Sequence, residues 1–219
     1  MVPSRHEQSS YADSSEIDLV NFIGYPTVGK DTQVAQVKAL LDKNGRAYKV
    51  VGTGDALRKE KDAGTSLGRE AAVYMDKGKL VPSSIINPAV QSLVSGYHAD
   101  VVTRQKLWMI NGYPRAKDQV EEYLELVREF GRKDVSFVLS LGSPEKAISI
   151  MLERATKRAR GPDDEPEAVK ERYEEAREEL DPVVERLRKE GLVMDIDADA
   201  PEHIVTQDIR LRMESIGVL

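Results

Sequence analysis

The chain of 219 residues contains no cysteine, which removes disulfides and thiolate-held metals and excludes any zinc-ribbon insertion. No apolar run approaches the roughly 18 residues that a membrane-crossing helix needs, and no secretory signal is evident. Histidine is scarce: His6, His98 and His203 stand far apart and read as ordinary surface or partly buried residues. Long basic blocks are missing too, and 32 basic residues face 38 acidic ones for a net charge of −6. That balance argues against nucleic acid as a partner, while leaving room for a local cationic cleft. Aromatics are sparse at 5%, yet 40% of the residues are hydrophobic, enough for the core of one ordinary domain. Residues 1–16 are polar and serine-rich and read as a disordered leader. The cytoplasm is the default location.

What is present is concentrated in residues 20–33. Apolar residues run into Gly24, four residues intervene before Gly29-Lys30, and a helix-compatible segment follows. This is the strand, glycine loop and helix order of a phosphate-binding loop. Backbone N–H groups and the helix N-terminus face phosphate oxygens, and the lysine adds a mobile positive charge. Gly24 and Gly29 lack the Cβ that would keep a ligand away from the backbone. Asp31 stands where Ser or Thr usually follows the lysine.

Short apolar runs predict strands over residues 17–23, 47–51, 107–110, 135–141 and 193–196. Helices are predicted over 32–43, around Leu57 and Arg58 with Asp55 as cap, and over 67–77 and 82–95. Four more are predicted over 117–130, 144–154, 167–189 and 201–216, with a kink or restart at Asp181-Pro182. Residues 155–166 read as an exposed loop. Strands alternating with helices mean an α/β fold, a P-loop NTPase-type parallel five-stranded sheet flanked by helices. Ligands of such sheets bind at the carboxyl ends of the strands, where the loops at Gly24, Gly52 and Asn111 fall.

Those loops carry a likeness. Gly24-Tyr25-Pro26-Thr27-Val28-Gly29-Lys30-Asp31-Thr32-Gln33 resembles the G-x-P-G-x-G-K-G-T-Q loop of adenylate kinases. Thr53-Gly54-Asp55-Ala56-Leu57-Arg58 is similar to their T-G-D-x-L-R segment, and residues 63–68 and 74–82 to the helices of their monophosphate-binding subdomain. Asn111-Gly112-Tyr113-Pro114-Arg115, with Gln119 beyond it, resembles D-G-F-P-R-x-x-x-Q. Arg154, Arg160, Asp163-Asp164 and Arg172 follow the order of the lid arginines. The chain thus resembles the adenylate kinase family, of a short-lid type, over about residues 17–219.

The resemblance implies a core of residues 17–51, 82–153 and 166–219, a mobile monophosphate-binding subdomain at 52–81 and a lid at 154–165. It implies reversible phosphoryl transfer from ATP to AMP, with Mg²⁺ accompanying ATP, in a monomer. Lys30 and the loop residues Gly24, Gly29, Asp31 and Thr32 would hold the donor phosphates. Arg58, Gly112 and Arg115 would hold the acceptor phosphate, where an arginine fork matches its oxygens. Thr53, the backbone at Val81, and Gln119 would receive the adenine of AMP. Arg154, Arg160 and Arg172 would arrive as the lid closes, with Arg158 competing for the role of Arg160. Asp31, Asp55 and Asn111 are the candidate metal-holding residues.

The chain departs from the family pattern at four places. Thr27 replaces a loop glycine, Asp31 the glycine after the lysine, Asn111 the aspartate ending the third strand, and Ile150 a lid-base arginine. Such changes keep two alternatives in view: a kinase for another nucleoside monophosphate, and a weakly active or inactive nucleotide-binding relative.

Overall fold

Strands rich in apolar residues and separated by helices must be buried on both faces, which requires a parallel sheet with helices on either side. The computed structural model describes residues 17–76, 81–100, 106–158 and 165–219. Five strands, β1 (Leu19–Gly24), β2 (Tyr48–Gly52), β3 (Leu107–Asn111), β4 (Asp134–Ser140) and β5 (Val193–Asp197), form one sheet. Their order is β2-β3-β1-β4-β5, and every pairing is parallel. Helices α1 (Lys30–Lys43), α2 (Thr53–Asp62), α3 (Ser66–Met75) and α4 (Ser83–Ala99) belong to the first half of the chain. The second half contributes α5 (Val120–Glu129), α6 (Pro144–Arg158), α7 (Pro166–Lys189) and α8 (Glu202–Ser215).

Alternating strand residues separate two cores. Leu19, Ile23, Trp108 and Ile110 face Val90 and Val94 of α4, Tyr123 of α5, and Leu180 and Val183 of α7. Val20, Phe22, Met109 and Phe137 face Val34, Val37 and Leu41 of α1, and Val205, Ile209 and Met213 of α8. Each fully buried side chain of this kind contributes about 1.5–3 kcal/mol, so both faces hold the strand register. That register sets Asn111 opposite both Phe22 and Gly52, bringing the ends of β1, β2 and β3 to one edge.

Several predicted boundaries change, among them the end of α4, which runs to Ala99 rather than 95. Gly52, not Asp55, is the N-cap of α2, and Asp55 falls within the helix's first turn. The predicted helix over 117–130 divides into a 3-10 turn at Lys117–Gln119 and α5. A side-chain tie explains the tight turn: the Arg115 N–H donates to Gln119 Oε1 at 2.8 Å. α6 runs on to Arg158, because no helix breaker precedes Gly161-Pro162. α7 continues through Pro182 without a restart. Proline removes one hydrogen bond there, and burial of Leu180, Val183 and Leu187 offsets the loss.

α2 and α3 pack unusually closely. A Cβ on Gly68 would lie 2.1 Å from the Glu60 carbonyl oxygen, so the two helices touch through backbone. The turn between them is fixed by Thr65, whose hydroxyl caps α3 by accepting from the Gly68 N–H at 3.0 Å.

Candidate active site

β1 delivers the chain to Gly24, where a Cβ would sit 2.7 Å from the Val28 side chain and 3.0 Å from the Leu139 carbonyl oxygen. Only glycine allows the loop to turn there. The loop ends at Gly29, the left-handed N-cap of α1 at φ +77°, which brings no capping side chain to the helix end. The first-turn N–H groups therefore stay available to an anion, and the helix dipole favours one. Thr27 occupies the left-handed region at φ +71°, an uncomfortable conformation for a β-branched residue. Its hydroxyl makes local use of the pose, donating to the Pro26 carbonyl at 2.5 Å and the Ala147 carbonyl at 3.3 Å.

The loop, Gly112, Pro114, Arg115, and Ala176 and Leu180 of α7 surround a cavity of about 330 Å³. The Lys30 side chain is only 14% exposed and its ammonium lies 3.4 Å from Asp31 Oδ1, whereas Asp31 is 85% exposed. Burial, helped by the Arg115 charge, pulls the Lys30 pKa below its ordinary value. Burial pushes the Asp31 carboxyl up, but the Asn111 amide and Lys30 together outweigh it and hold the carboxyl below its usual range. The Asn111 amide donates to Asp31 Oδ1 at 2.9 Å, and Asn111 Oδ1 is buried without a partner among the described residues. The two departures from the family pattern are thus bonded to each other.

Arg115 is set by the strand end behind it. Its Nε donates to the Gly112 carbonyl at 2.6 Å, and a Cβ on Gly112 would lie 2.4 Å from its guanidinium. Thr53 reaches the same carbonyl at 3.3 Å. Desolvation and the Arg58 charge lower the Arg115 pKa, against the pull of Asp31. Arg58 is exposed and folds back over Gly54, whose absent Cβ would stand 3.3 Å from it. A cation whose neighbour lowers its pKa, as Arg115 does to Lys30 and Arg58 does to Arg115, marks a place arranged for an anion.

Gln119 is 3% exposed, and both ends of its amide are engaged within the chain. Oε1 takes the Arg115 N–H, and Nε2 donates to Ser83 Oγ at 3.1 Å. Ser83 in turn donates to Asp118 at 2.6 Å. A base reading Gln119 directly must displace Ser83. Arg172 is partly buried, with its Nε buried and without a bonding partner among the described residues. It lies one turn before Ala176 and two before Leu180, on the helix face that lines the cavity. Thr32 lines the cavity, and Val81 sits partly exposed just before α4.

The backbone of Asp55 is in α2 and that of Arg154 in α6, but their side chains lie outside the described residues, as does all of Arg160. Among the described residues no three His, Cys, Asp or Glu side chains cluster as a metal site. No described helix is long and apolar enough to cross a membrane. Sequence reasoning missed Tyr25, Ser83, Ala176 and Leu180. The spacing 172, 176, 180 was the one available signal for the last two.

A glycine loop between a buried parallel strand and a helix, ringed by Lys30, Arg58 and Arg115 at the carboxyl edge of the sheet, defines a P-loop nucleotide-binding protein. Within that class, the family model described as adenylate kinase matches residues 22–192. A protein named adenylate kinase from Parasynechococcus marenigrum is 33% identical over 189 residues, 86% of this chain and 94% of the relative. Another so named, from Thermobifida fusca, is 33% identical over 199 residues, 90% of this chain and 98% of its own length. The chain belongs to the adenylate kinase family.

Proposed function

We propose that the chain transfers the γ-phosphoryl group of ATP reversibly to AMP, giving two ADP. The observation that carries this reading is the convergence of Lys30 and Arg115 on one cavity beneath the open N-terminus of α1, with Arg58 near enough to perturb Arg115. Phosphoryl transfer asks for alignment and charge neutralisation rather than covalent help. Lys30 and the amides of residues 24–32 hold the donor phosphates. Arg58 and Arg115 grip the acceptor phosphate, with Gly112 keeping Arg115 in place and Thr53, Val81 and Gln119 shaping the acceptor side. Arg154, Arg160 and Arg172 complete the charge around the transferred group, and closure over it excludes water. Only residues 159–165 separate α6 from α7, which supports a short lid. The family likeness supports a cytoplasmic monomer.

Mg²⁺ accompanying ATP fits the residues present. Magnesium keeps several waters and needs one or two carboxylates besides phosphate oxygens. Asp31 supplies an exposed, ionised carboxylate at the cavity, and both of its bonds among the described residues fall on Oδ1, leaving Oδ2 for a cation. Asn111 steadies Asp31 through its amide, and Asp55 is the further candidate. Bound there, the metal neutralises charge on the nucleotide phosphates, which also relieves the repulsion Asp31 would otherwise exert on them.

ADP formation from Mg-ATP with AMP, CMP or UMP tests the assignment. AMP is expected to be used far faster than the others. Equal rates defeat the AMP assignment, and ATP binding without ADP from any acceptor defeats the kinase reading.

A further inference from the structure

The phosphate loop is bonded by side-chain hydroxyls to both helices that flank the proposed lid. Thr27 donates to the Ala147 carbonyl of α6 at 3.3 Å. Tyr25 donates to Asp181 Oδ1 of α7, 156 residues away in sequence. Neither bond belongs to the phosphate chemistry.

The second bond is placed where it matters. Asp181 immediately precedes Pro182, at which α7 lacks one of its backbone bonds. Beyond that point Val183, Val184 and Leu187 anchor the helix in the core. Before it lies the half that brings Ala176 and Leu180 to the cavity, with Arg172 one turn earlier on the same helix face. Arg177 Nε holds the other oxygen of Asp181 at 3.2 Å, so the carboxylate is gripped from both sides. The Tyr25 ring lines the cavity and packs against both cores, so its hydroxyl follows the loop backbone.

We propose that Tyr25 and Asp181 are a positioning pair, coupling occupancy of the phosphate loop to the orientation of α7 and hence of Arg172. The pair extends the kinase reading, but the coupling itself is visible with ATP alone. The test compares wild type with Tyr25→Phe, Asp181→Ala, their double variant and Asp181→Asn. It reads hydrogen exchange over residues 166–176 with and without Mg-ATP, the Kd for ATP, and kcat and KM with AMP.

In wild type, Mg-ATP slows exchange over 166–176. Asp181→Asn keeps this protection, because its amide oxygen still accepts the tyrosine hydroxyl. Tyr25→Phe, Asp181→Ala and the double variant lose it while their Kd for ATP stays within about threefold, since one hydrogen bond away from the phosphates is removed. In Tyr25→Phe and in Asp181→Ala kcat falls about tenfold, their double variant falls no further, as expected for two groups acting through one bond, and Asp181→Asn keeps the wild-type kcat within about twofold. Protection that persists in Tyr25→Phe, absent protection in wild type, or losses that multiply in the double variant overturn the pairing. A wild type that shows the ATP-dependent protection but makes no ADP supports the coupling and refutes the kinase reading.

Discussion

The two edges of the sheet treat their charges in opposite ways. At the amino edge Arg132 is 4% exposed, donates to Asp18 at 2.9 Å and lies 3.9 Å over the Trp108 ring. Close by, the Tyr123 hydroxyl donates to buried Asp134 at 2.5 Å. At the carboxyl edge Lys30 and Arg115 act on the exposed Asp31 carboxylate, Arg58 stands near enough to act on Arg115, and Arg172 Nε is buried without a bonding partner among the described residues. One edge completes its electrostatics within the chain. The other gathers cations about a cavity, where a polyphosphate would balance them. Stability and function therefore sit at opposite ends of the same strands, and substitutions at the two ends should separate cleanly.

The largest effect is expected at the carboxyl edge. Lys30→Ala should lower kcat for ADP formation by about 10²–10³-fold, the usual loss when a preorganised charge is removed from a transition state. Its melting temperature should hold or rise, because a buried, poorly compensated cation is gone. A fall in melting temperature would erase the contrast between the edges.

Next comes the amino edge. Arg132→Ala breaks a mostly buried ion pair and a cation–ring contact, and should cost about 2–3 kcal/mol by denaturant unfolding. The Michaelis constants for ATP and AMP should not change. Arg115→Ala should weaken AMP by about 1.5–3 kcal/mol, read as a raised KM for AMP with little change in ATP affinity. Loss of ATP affinity instead would move Arg115 to the donor side.

The smallest effect concerns Asp134. Burial holds its carboxyl above the ordinary range despite the Tyr123 bond. With the folded pKa raised, stability from this group is full below the unfolded pKa and declines as pH rises through the folded one. Asp134→Asn keeps an acceptor for Tyr123 and should flatten that decline, by less than about 1 kcal/mol in unfolding measurements at successive pH values. An unchanged slope would show that other groups set it.

How much of this was legible in the sequence depended on whether the cause was local. The strand Leu19–Gly24 follows from the apolar run that predicted one over 17–23, and Gly29 ends the loop as the glycine spacing requires, though its left-handed φ was not foreseen. The stripe of Val120, Tyr123, Leu124 and Val127 is buried as its period requires. Asp55 looked like a helix cap because aspartate favours that position, but the helix starts directly at the end of β2, where Thr53 is held by the Gly112 carbonyl. The bond between Asn111 and Asp31 spans 80 residues and the one between Tyr25 and Asp181 spans 156. Neither leaves a periodic or compositional trace. Gln119 showed its chemical type in the sequence but not its partners, since Ser83 comes from another helix start.

The most direct measurement follows the γ-phosphorus itself. ATP labelled at the γ-phosphate, mixed with Mg²⁺, AMP and excess protein in a single turnover, should yield ADP carrying the label on its β-phosphate. Lys30→Ala under the same conditions should leave the label in ATP. Label released from the wild type as inorganic phosphate, or retained in ATP while the nucleotide is bound, would contradict phosphoryl transfer at this site.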